Sequence, residues 1–92
     1  MTTIWCFNGS SQFPGGVFDD LELARTWIER NKLSGVLTGY PLNAGVFDWA
    51  LEQGHLSPAL KLKAERNGPD FVGGFTSASQ PHFHFEAGKQ AA

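Results

Sequence analysis

His82, His84 and Glu86, in the run PHFHFEAG (residues 81–88), are the side chains whose types and spacing most directly suggest chemistry. Two imidazoles one residue apart can meet on one cation, and a carboxylate two residues further on can supply a third ligand. A zinc or iron site would need its remaining donors from elsewhere, and the candidates are His55, Cys6 and a few aspartates. The chain has no Cys-x-x-Cys, no His-Glu-x-x-His and no acidic Ca²⁺ loop. A lone His-x-His is a weak signal, so the favoured reading is the polar side of an ordinary strand, with metal binding as its alternative.

Other reactive residues read as structural. Cys6 with a histidine could imitate a nucleophile and its base. It stands between Trp5 and Phe7, however, where a thiol is normally an inert core group. GSSQFPGG (residues 9–16) is Gly-rich but lacks the Gly-Lys-Ser/Thr ending of a phosphate loop. It reads as a turn, with Phe13 packing back on the core. Asp48 and Glu52 lie one helical turn apart and read as a solvated acidic face.

The elements that must position these residues follow from periodicity. TIWCF (residues 3–7) is a strand apolar on both sides, with Ile4 and Cys6 on one face and Trp5 and Phe7 on the other. Asp19, with Glu22 three positions later, predicts a capped helix that buries Leu21, Ala24 and Ile28, with Arg25 and Glu29 spaced to pair. GVLTGY (residues 35–40) predicts a second strand ended by Pro41. A second helix is expected from Asn43 as cap to Gly54 as stop, burying Val46, Phe47, Ala50 and Leu51. Residues 55–70 stay open between helix, strand and loop. DFVGGFTS (residues 70–77) and HFHFE (residues 82–86) predict two final strands, with Gly73 and Gly74 as a bulge in the first. The tail from Ala87 is expected to fray.

The expected fold is therefore a single α+β domain over residues 1–92, in the order β-α-β-α-β-β. Its sheet is antiparallel or mixed, of about four strands, with two helices on one face. Strand alternation puts Phe83 and Phe85 toward the helices and His82, His84 and Glu86 on the open side, with Tyr40 expected beside them.

Composition narrows the function classes. Eight Phe, three Trp and one Tyr give a 92-residue chain material for a dense core. A single cysteine allows no internal disulfide, and the N-terminal run has neither a basic leader nor a long apolar segment, so a cytoplasmic location without membrane association is expected. Seven basic against nine acidic residues, for a net charge of −2, argue against nucleic acid.

The runs LSGVLTGYP, FDWALEQG and FTSASQPHFHFE resemble those of a family of small, mostly uncharacterised bacterial domains, over Trp5 to Gly88. That resemblance implies a stand-alone α+β domain and no known catalytic residues. By analogy of size and style, such domains act as immunity or antitoxin partners. The expectation is a non-catalytic protein that binds and neutralises a bacterial toxin, with no cofactor. Its partner would be held by His82, His84, Glu86 and Tyr40, and by a second acidic patch at Asp48 and Glu52. The alternatives are a small metal- or ligand-binding domain using His82, His84 and Glu86, and a self-associating structural module.

Overall fold

The structure, a computed structural model, describes residues 2–91. Their contacts divide into two compact units. One comprises the residues up to Leu42 together with those from Gln80 onward, and the other is Asn43–Ser79.

The first unit is a five-stranded antiparallel sheet with one helix. In chain order it holds β1 (Thr3–Asn8), β2 (Gly16–Phe18), α1 (Leu21–Arg30) and β3 (Gly35–Pro41). The final hairpin, which follows the second unit, supplies the other two strands, His82–Glu86 and Lys89–Gln90. They are β4 and β5, and the spatial order is β2-β1-β3-β4-β5. Phe7, Ala24, Ile28, Leu37 and Phe85 form the buried core, flanked by Trp5, Phe18, Leu21, Trp27, Leu33 and Phe83. Every strand member of that set lies on one sheet face, because alternate residues of a strand point the same way. Full burial of Ile28 and Leu37 contributes about 1.5–3 kcal/mol each.

The backbone of β3 is adapted to the rings beside it. A Cβ at Gly35 would strike the Asn8 carbonyl oxygen and the Phe7 ring. One at Gly39 would lie 2.9 Å from the Pro81 ring and 3.2 Å from the Trp5 ring. Trp27 of α1 closes this side, its ring 5.7 Å from Phe7 and 5.4 Å from Phe18.

Several details differ from expectation. The cap of α1 is Asp20, not Asp19: its Oδ1 accepts from the Glu22 and Leu23 amides at 2.8 and 3.1 Å. Strand β2 occupies Gly16–Phe18 and pushes the helix start one residue on, which places Leu23 where a capping box needs Glu or Gln. Arg25 lies 4.0 Å from Glu22, not beside Glu29, and its guanidinium stacks 4.9 Å from the centre of the Phe83 ring. Phe13 is 74 % exposed and does not pack back on the core.

The tail also departs from expectation, since it forms β5. Ala87 and Gly88, at φ +50° and +85°, make the two-residue turn that suits a hairpin. The turn is tied down by Ala87 N–H donating to Ser34 Oγ at 2.9 Å and by Gly88 N–H donating to the Leu33 carbonyl at 2.8 Å.

The second unit holds three helices: α2 (Val46–Glu52), α3 (Pro58–Asn67) and α4 (Pro69–Gly74). The cap of α2 is Gly45, while Asn43 sits in a left-handed turn at φ +62°. Gly54 ends the helix as expected, at φ +77°. Leu51, expected inside, is exposed. Ser57 caps α3 by accepting from Leu60 N–H at 3.2 Å, with Pro58 in its first turn.

The expected strand at residues 70–77 is instead the short helix α4, and Gly73 and Gly74 lie in its last turn, not in a bulge. Phe71 and Phe75 explain the difference. Their rings are 5.6 Å apart and both meet Phe47, at 6.3 and 5.6 Å. Residues four apart come that close on a helix, whereas on a strand they are separated by about 13 Å.

Two expected outcomes follow. Asp20→Ala lowers stability by about 1 kcal/mol in urea unfolding while Asp19→Ala stays within about 0.5 kcal/mol, which separates the two candidate caps. Gly35→Ala lowers stability by roughly 1–3 kcal/mol in the same assay, because β1 must shift to admit the methyl.

Candidate functional site

On the sheet face opposite α1, the pairing sets the side chains in rows. Val17, Cys6, Thr38 and His82 form one row across β2, β1, β3 and β4. Asn8, Val36 and His84 form the next, and Ile4 stands opposite Tyr40. Glu86 pairs with Lys89 at the turn end of β4. His82, His84, Glu86 and Val17 are exposed, whereas Ile4, Cys6, Val36, Thr38 and Tyr40 are half-buried.

Of the sequence-predicted residues, the structure brings His82 and His84 together. Their rings lie 5.6 Å apart at 83°, edge to face. Tyr40 shares the sheet face but stands opposite Ile4, on the far side of Thr38 from Val36. Asp48 and Glu52 are exposed on α2, in the other unit. Among the described residues no three of His, Cys, Asp and Glu gather closely enough to hold a metal ion, so Glu86 does not complete a three-ligand set.

Gln80 is a site residue that the sequence reading missed. It is 2 % exposed, and its side-chain Nε2 donates to the Gly39 carbonyl at 3.0 Å. The reason lies in its neighbour. Gly39 N–H donates to the Pro81 carbonyl at 2.8 Å, and an antiparallel pair would return a bond from residue 81 to the Gly39 carbonyl. Proline has no N–H to return, and the Gln80 amide takes its place. The only advance signal was a glutamine placed directly before a proline that opens a strand.

The Gln80 main-chain carbonyl in turn lies 2.7 Å from His82 Nδ1. A carbonyl oxygen can only accept, so Nδ1 carries the hydrogen and, in the neutral ring, Nε2 keeps the free lone pair. His82 is thus held in one tautomer by a residue that is itself anchored to the central strand.

Cys6 stands one strand beyond Thr38 from His82, about 9–10 Å away at ordinary strand spacing, too far for a nucleophile–base pair. Burial pushes its thiol pKa up, which disfavours the thiolate. A thiol raised in the folded state contributes stability below its ordinary pKa and loses it as pH rises through the folded value.

The model of a domain of unknown function, DUF7710, matches residues 4–91. The chain belongs to that family. No curated protein and no solved structure matches it. The match extends from β1 through β5, so both units lie within the family's domain. No helix among the described residues is long and apolar enough to cross a membrane.

Two measurements check this geometry. Iodoacetamide should alkylate Cys6 several-fold more slowly than free cysteine at neutral pH, and unfolding in urea should restore the free rate. Gln80→Leu should cost about 1–3 kcal/mol in urea unfolding, since it leaves the Gly39 carbonyl without its donor.

Proposed function

We propose that this domain is a non-catalytic protein-binding module of the immunity type, which uses the sheet face opposite α1 to hold and neutralise a bacterial toxin. The observation that carries this reading is the composition of that face. Half-buried apolar positions, Ile4, Cys6 and Val36, lie among Tyr40, Thr38 and the exposed pair His82 and His84. Apolar patches rimmed by polar and aromatic groups are the usual make-up of protein interfaces. A stable complex needs about 800 Å² from each partner.

Charge supports a basic partner. The chain carries a net charge of −2, and Asp48, Glu52 and Glu86 are exposed. Complementary charge raises the association rate and excludes acidic competitors. Tyr40 is the natural anchor, because a half-buried tyrosine offers a large apolar ring with a polar tip.

The test begins with native mass spectrometry of the tagged chain from its own cell, followed by titration with the partner it retains. A toxin held at one-to-one stoichiometry is the expected result, with Tyr40→Ala and His84→Ala each weakening affinity at least tenfold, about 1.4 kcal/mol. Co-expression of the wild-type chain should also restore growth that the partner alone suppresses. Unchanged affinity in both variants would remove the binding surface from this face. A clean homodimer with no other protein would replace the reading with self-association.

A further inference from the structure

We infer that His82 and His84 form a two-histidine site for a late first-row divalent cation, of the nickel, copper or zinc class. This goes beyond the partner-binding reading and can be tested without any partner.

Three observations carry it. First, the rings have the right separation. An imidazole nitrogen bound at about 2.0–2.1 Å puts its ring centre roughly 3.2 Å from the metal, so two rings on one ion at angles of about 90–130° have centres about 4.5–5.8 Å apart. The observed separation is 5.6 Å. Second, His82 is prepared as a ligand. Its Nδ1–H is spent on the Gln80 carbonyl, which leaves Nε2 as the donor atom and fixes the ring's orientation. Gln80 is itself buried and bonded to Gly39, so this prop is rigid. Third, both histidines are exposed, so an ion reaches them without any opening of the fold.

The same geometry defines the class of ion. Two neutral imidazoles favour nickel, copper and zinc over the hard, oxygen-seeking magnesium and calcium. Thr38 and Val36, the cross-strand neighbours of the pair, add no strong metal donor. The ion is therefore held by two protein ligands, with its other positions taken by water or by a donor from a bound molecule. That makes the site a weak chelate with open positions, unlike the closed four-ligand set of a structural zinc site.

The experiment is calorimetric titration of the untagged full chain with nickel chloride and zinc chloride at neutral pH, with magnesium chloride as a control. One nickel ion per chain should bind with micromolar affinity, zinc more weakly, and magnesium not at all. His82→Ala and His84→Ala should each weaken nickel binding at least tenfold. His55→Ala, which changes a histidine of the other unit, should leave it unaltered. Circular dichroism establishes that each variant is folded. In the NMR spectrum, substoichiometric nickel should broaden the ring signals of His82 and His84 before that of His55. The proposal is overturned if the wild-type chain binds nickel no more tightly than the His82→Ala, His84→Ala double variant, or if the His55 signal broadens first.

Discussion

Two bare positions on the central strand govern the packing of the first unit. Gly35 and Gly39 leave β3 without side chains on either side of Leu37, and the rings of Phe7 and Trp5 lie over the gaps. Glycine in a strand weakens it by itself, since it adds backbone entropy and packs nothing. Here that cost is offset by aromatic rings lying closer to the strand than a Cβ would permit, beneath a helix that buries Ala24 and Ile28 completely. The arrangement also fixes register. A slip of one residue between β1 and β3 would set Gly35 and Gly39 on the opposite face and leave Phe7 and Trp5 against Val36 and Thr38, or against Thr38 and Tyr40.

The character of the other face follows from that constraint. Once Trp5, Phe7, Leu37, Phe83 and Phe85 are assigned inward, alternation sends Cys6, Thr38, His82 and His84 outward with no further choice. What alternation cannot do is orient an imidazole. That depends on the end of the ladder, where Pro81 withholds a hydrogen bond and Gln80 supplies it from a side chain. A defect in backbone pairing thereby places a rigid carbonyl beside His82. Proline at the start of a strand is ordinarily tolerated because it does little harm. In this sheet it has the added effect of recruiting a buried glutamine.

The parts of the fold visible in the sequence were those governed by period and composition. The doubly apolar TIWCF, the amphipathic run after Asp19 and the alternating HFHFE each carry enough apolar residues to settle their own state, and all three form the expected type of element, the helix with its cap one residue later than expected. The short edge strands were not visible, because Gly16–Phe18 and Lys89–Gln90 are held by neighbours and not by any pattern of their own. DFVGGF misled for a related reason. Its β-branched and aromatic residues suit a strand, yet its state is decided by Phe71 and Phe75 reaching Phe47 from one helical side. Ser57-Pro58, by contrast, was a legible cap and first turn that the mixed composition of residues 55–70 obscured. For the candidate site, the pairing of His82 with His84 was legible from alternation, while the part played by Gln80 depends on a contact across 41 positions that no local pattern encodes.

The division of β4 between its two faces bears on how a site can persist on so small a domain. A domain of this size has little stability to spare, and a side chain that serves both core and function constrains each. Phe85 is buried and Phe83 lies beneath the Arg25 guanidinium, whereas His82 and His84 are exposed. Replacing either histidine removes little packing, so the fold itself exerts almost no demand for imidazole at these positions. Phenylalanine at 83 and 85 has a structural reason to be there. Histidine at 82 and 84 has no comparable role in the core, and under the function proposed for this face the pair serves contact with a partner.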